Sequence, residues 1–136
     1  MSKSNALETQ LLEKIFNNTN FPWDANTVLY VSLHTADPGE AGSQTTNETA
    51  YAGYSRVGVA RTSGGWQVLN DTAQNVASVS FPQCSSGSAT ITHVAVGTQA
   101  SGAGVLLYSG ALASSLIVST NITPSFAANT LQIVEE

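Results

Sequence analysis

The apolar positions of this chain keep one period at the start and another afterwards. Leu7, Leu11, Leu12 and Ile15 recur at helical spacing and make one apolar face, while Glu8 and Glu13 project elsewhere. Asn5 is the expected N-cap, with Glu8 three residues on to complete a capping box. Lys14 falls in the last turn, where a cation suits the helix dipole. The run Asn17-Asn18-Thr19-Asn20 ends the helix. Propensity alone does not hold a lone short helix in water, so its apolar stripe needs cover. Two arrangements supply it: packing on the parent sheet, or residues 1–20 laid as an arm on a neighbouring subunit.

After Pro22 the period drops to two. Thr27–Thr35 places Leu29, Val31 and Leu33 on one face and Tyr30, Ser32 and His34 on the other. Tyr54–Arg61 turns Val57 and Val59 inward, and Gly64-Gly65 marks a turn before Trp66–Leu69. Asn75–Phe81 follows with Val79 and Phe81 together. Ala89–Gly97 sets Val94 and Val96 against Ile91, His93 and Ala95. Gly104–Leu112, Leu116–Thr120 and Thr130–Val134 complete the pattern. This predicts seven or eight short strands at the spacing of a sandwich or barrel. No helical text recurs between them, which excludes βαβ units. Several strands are apolar or small on both faces, as strands covered on two sides are. The expected fold is all-β: a jelly-roll-like antiparallel β-sandwich with a short N-terminal helix, spanning residues 1–136 as one domain.

Ala36–Tyr51 interrupts the alternation. It joins two strands by about fifteen residues without apolar periodicity, and loops of that length are usually functional or mobile. Asp37-Pro38-Gly39 within it is a strong turn.

Charge changes the picture most. Only 10% of the 136 residues are charged, against roughly 25% in an ordinary soluble domain. Four basic residues, Lys3, Lys14, Arg56 and Arg61, stand against nine acidic ones, for a net charge of −5. No basic stripe is available to neutralise phosphates, so neither nucleic acid nor an anionic membrane is an expected partner. The single cysteine, Cys84, has no second cysteine or metal-ligand spacing around it. The N-terminus lacks a secretory h-region, and no apolar run approaches the ~20 residues of a membrane helix. Synthesis in the cytoplasm follows as the expectation. The Asn-x-Thr triplets at Asn17, Asn47, Asn70 and Asn121 then carry no glycan.

Candidate chemistry is thin. Asp37, Glu40 and Glu48 offer oxygen ligands, but their spacing matches no Ca²⁺ loop. Ser32 and His34 share a strand face near Asp37, without a nucleophile elbow or an oxyanion loop. His93 lies in an otherwise apolar strand and reads as a satisfied core or interface histidine. Trp23, Tyr30, Tyr51, Tyr54, Trp66 and Tyr108 are scattered over separate elements, as core and interface anchors are, rather than gathered into a sugar platform. Gly97–Gly104 is glycine-rich but lacks the Lys and helix of a phosphate loop. The expectation is a protein that is not an enzyme and holds no cofactor and no metal.

Leu33–Gly42 reads LHTADPGEAG, and Thr46–Arg61 continues as TNETAYAGYSRVGVAR. This pairing resembles small virion proteins of tailed bacteriophages, which are often labelled loosely as tail-fibre proteins. The whole chain also looks like the capsid cement, or decoration, proteins of short-tailed phages. That resemblance implies a jelly roll bound to the outer surface of the head shell, the major capsid protein as partner, and a homo-oligomer on the shell. It carries no catalytic residue over. The candidate capsid and subunit contacts are Leu7, Leu11, Leu12 and Ile15 on the helix, Asp37 and Glu40 in the long loop, and Tyr51 and Tyr54 at its end. The alternative is a tail-fibre or receptor-binding module recognising cell-surface glycan.

Overall fold

The computed structural model describes residues 1–135. Along the chain lie β1 (Ser2–Lys3), α1 (Asn5–Asn17), β2 (Val28–His34), β3 (Val57–Ala60), β4 (Trp66–Leu69) and β5 (Thr72–Asn75). Then come β6 (Val79–Ser80), β7 (Ser88–Gly97), β8 (Leu106–Ser119), β9 (Ser125–Phe126) and β10 (Gln132–Val134). They form a five-stranded sheet ordered β1-β8-β7-β2-β3, a three-stranded sheet β10-β5-β4 and a two-stranded pair β6-β9. Every pairing is antiparallel. Val31, Leu33, Ile91, Val94 and Val96 of the large sheet share one core with Trp66 and Ile133 of the second sheet and Val79 of the third. The molecule is an all-β sandwich with one N-terminal helix.

The helix is capped one residue earlier than its pattern suggests. Ser4, not Asn5, is the N-cap: its Oγ accepts from Leu7 N at 3.1 Å. That register puts Leu7, not Glu8, at the third helical position, so the Asn5–Glu8 capping box does not form. Ser4 is selected because its hydroxyl serves twice, also donating to the carbonyl of Leu106 in β8. Its own N–H donates to Leu107 O at 2.9 Å, which fastens the helix start to the sheet. At the other end Asn18 takes a left-handed conformation and its N–H returns to Glu13 O.

Strand phase departs from simple alternation in β7. The register runs Ile91↔Leu116 and then His93↔Ala111, so the ladder is interrupted between them. A bulge re-phases side chains by one position. Ile91, expected opposite Val94 and Val96, therefore joins them in the core. Gly104–Leu112 and Leu116–Thr120, expected as two strands, are one long strand, because the interruption in β8 bends the strand without ending it. Asn75–Phe81 shrinks to β6. The residues before it, Thr72–Asn75, form a hairpin with β4 instead, turning at Asn70, which has φ 56°. Asn47 and Asn121 also sit at positive φ. Three of the Asn-x-Thr triplets thus begin at turns that need a left-handed residue, a conformation asparagine tolerates.

Candidate assembly surface

The long loop folds back onto the outer face of β2 and β7 and is pinned there by polar side chains. Gln44 is fully buried. Its Oε1 accepts from Thr98 N at 3.1 Å and Gln99 N at 3.0 Å, and its Nε2 donates to Gln99 O at 3.1 Å. A Cβ on Gly97 would lie 2.2 Å from Gln44 Cδ, and one on Gly104 2.0 Å from its Oε1. Both glycines exist to admit this amide. The glycine-rich run that resembles a phosphate loop is the socket for Gln44.

Next to it, Ser32 Oγ lies 2.8 Å from His34 Nε2, and His34 Nδ1 lies 2.8 Å from Thr46 O. A carbonyl only accepts, so Nδ1 carries the proton and Nε2 accepts from the serine. Burial pushes the His34 pKa below its ordinary value and outweighs the opposing hydrogen bond to Thr46 O. Both side chains have zero exposure, so no substrate reaches the serine in this structure. Asp37 is elsewhere, on the surface, its Oδ1 accepting from Gly39 N at 2.8 Å. Glu48 is also taken. Arg56 donates to it twice, and Tyr54 Oη donates to its Oε2 at 2.7 Å. Burial drives the Tyr54 pKa far up, and the hydrogen bond to Glu48 adds to the effect. Among the described residues no group of three His, Cys, Asp or Glu side chains gathers to hold a metal.

The expected contact residues divide sharply. Tyr51 is 6% exposed and its Oη donates to Pro82 O at 2.6 Å. Its ring meets Tyr54 edge-on at 5.3 Å, and Tyr54 stacks near Phe81. Tyr51 thus lies in the interior, and Tyr54 is half-buried beside it. Leu7 is likewise buried. Leu11 is half-buried, whereas Leu12 and Ile15 are 57% and 62% exposed. Asp37 and Glu40 are on the surface. The carbonyl of Glu40 accepts from Asn5 N at 2.9 Å, tying the loop to the helix start.

Leu7 and Leu11 form one wall of an apolar groove of about 780 Å³. Trp66, Val68 and Ile133 form the other. At its mouth Trp23 stacks on Phe21 at 4.6 Å, lies 4.8 Å from the Arg61 guanidinium and donates to Gln10 Oε1. Asp24 takes both Arg61 and Lys14, at 3.4 and 3.8 Å. These contacts clamp the segment after α1 onto the edge of the large sheet.

A family model described as podophage GP4 fiber I protein gp80 matches residues 2–134. The chain belongs to that family. None of the curated proteins compared with it matches. As a gp80-family protein it is a structural protein of a tailed-phage virion.

Two features of this gp80-family surface are missing from the expected contacts. Phe16 is the most exposed apolar side chain on the helix, at 78%. With Leu12 and Ile15 it makes an i, i+3, i+4 stripe, a spacing already present in the sequence. Val68 and Leu69 are 71% and 66% exposed at the end of β4, the edge strand of its sheet. Adjacent apolar residues on a strand point to opposite faces, so one of any such pair faces away from the core.

Proposed function

We propose that this chain is a non-catalytic subunit of a podophage fibre assembly, attached to a neighbouring virion protein. The single observation that carries this reading is the extent of the family match, which takes in the helix and all but the end residues of the sandwich. The geometry agrees with an adhesive role. The groups suited to acid–base work, His34, Ser32, Glu48 and Arg56, are spent on holding the loop to the sheet. Large apolar side chains are left outside: Leu12, Ile15 and Phe16 on the helix, Val68 and Leu69 on the sheet edge. Exposed apolar clusters of this kind mark interaction sites on soluble proteins.

Capsid cement rests on resemblance of size and strand order, whereas the family description favours the fibre. Glycan recognition through an aromatic platform has less support. Trp66 and Tyr51 are buried, and the Trp23 ring is engaged by Phe21 and Arg61.

Copy number separates fibre from cement. Quantitative mass spectrometry of purified virions is expected to give few copies per particle, in fixed ratio to other tail proteins. A ratio near one copy per major capsid subunit would replace the fibre reading with cement.

A further inference from the structure

The outer face of α1 combines two independent features. One is the apolar stripe of Leu12, Ile15 and Phe16. The other is the charge beside it. Glu8 stands one turn before Leu12 on the same stripe, and Glu13 borders its far side, given 3.6 residues per turn. Neither carboxylate has a cation within ion-pair distance among the described residues. Among the described residues every Lys and Arg side chain is already paired with another carboxylate. Lys3 is held by Glu135, Lys14 and Arg61 by Asp24, and Arg56 by Glu48. Glu40, at the loop tip bonded to the helix start, adds a third exposed carboxylate beside Glu8.

We infer that the outer face of α1 docks on a different virion protein, in an apolar groove rimmed by lysine or arginine. An amphipathic helix lays anchors at this i, i+3, i+4 spacing into such grooves. The charge selects among occupants. A second copy of this chain would bring Glu8 and Glu13 against the same carboxylates, with Lys14 already engaged, and like charges facing one another suppress a contact. Nucleic acid and an anionic bilayer are repelled for the same reason. A basic rim pairs with both glutamates while Leu12, Ile15 and Phe16 leave water. The inference rests on the proposed role as a virion subunit and adds the chemistry of the partner.

The test uses infectious particles grown with full-length chain carrying a photo-crosslinking residue in place of Phe16. That side chain is exposed, so its replacement does not disturb the fold. The expected result is a crosslink to one other virion protein, at a peptide with apolar residues and Lys or Arg around the attachment point. A crosslink to a second copy of this chain, or no protein crosslink in intact particles, would overturn the inference. A second arm compares E8K/E13K with E8Q/E13Q. Charge reversal is expected to lower the copies per particle roughly tenfold, with a smaller fall for neutralisation. Melting temperatures of the purified variants establish that both remain folded. Incorporation of folded E8K/E13K at the wild-type level would also overturn the inference. If the unmodified chain is absent from purified virions, the virion-subunit role itself fails. If it is present and the variants incorporate normally, only the docking inference fails.

Discussion

Glu48 and Arg56 lock together through two parallel hydrogen bonds, Nε to Oε2 at 2.7 Å and Nη2 to Oε1 at 2.8 Å. Arg56 is 9% exposed and also reaches the carbonyls of Gln99 and Gly102. One guanidinium therefore joins the long loop, β3 and the β7–β8 connection. Removing one member of a buried pair strands the other. Arg56→Met and Glu48→Ala are each expected to lower unfolding free energy by about 3–5 kcal/mol. Replacing both together should cost less than the sum of the two. Urea unfolding of the three variants measures this, and additive losses would mean that the two residues act separately.

Gln44 and its glycine socket make a second expectation. Gly97→Ala places a methyl group where the Gln44 side chain lies. Overpacking of this kind costs about 1–3 kcal/mol. Gln44→Ala removes the side-chain acceptor of Gln99 N and one of the two acceptors of Thr98 N, which keeps Val105 O, at about 1 kcal/mol for each hydrogen bond lost. In the double variant the methyl group meets open space, so Gly97→Ala should be better tolerated than in the wild-type background. Thermal melts of the four proteins test the coupling.

His34 gives a pH dependence with a defined sign. Its folded pKa lies below the ordinary value of 6.5, so the folded ring binds a proton less readily than the unfolded one. The stability due to its neutral form is therefore complete above pH 6.5, and is lost as pH falls from there through the folded value. Nearby Glu48 pulls the other way, while Arg56 and His93 reinforce the shift. Unfolding free energies measured between about pH 7.5 and 5.5 should fall more for the wild type than for His34→Asn. Equal slopes would show that His34 is not the group responsible.

The helix cap distinguishes two adjacent residues. Ser4→Ala removes the acceptor for Leu7 N and the donor to Leu106 O, and is expected to cost about 1–2 kcal/mol. Asn5→Ala, at an exposed position inside the helix, should change stability by less than about 0.5 kcal/mol. Chemical denaturation of both variants checks the assignment, and a larger loss for Asn5→Ala would restore Asn5 as the cap.

Periodicity was a good guide where one face of an element meets the core. It located α1 and most strands, because burial on one side leaves a repeating trace. It misjudged Ile91, since an interrupted ladder changes phase without leaving a mark in composition. Ser4 was missed because its value as a cap depends on Leu106, which is distant in sequence. The long loop looked like contact surface because it is polar. Its Gln44 and Glu48 are polar for another reason: one serves Thr98 and Gln99 just past β7, the other Arg56 just before β3. Tyr51, at the end of the same loop, is buried, and Tyr54 is half-buried. Phe16 could have been found, since it completes the spacing that Leu12 and Ile15 begin.

The proposed role is that of a fibre subunit gripping its neighbour through the outer face of α1. A cryo-electron microscopy reconstruction of the native particle tests it most directly. The expected map places the sandwich in the tail region, with Leu12, Ile15 and Phe16 covered by another protein chain. Density for the sandwich spread over the head shell, or at the tail with that helix face open to solvent, would contradict the account.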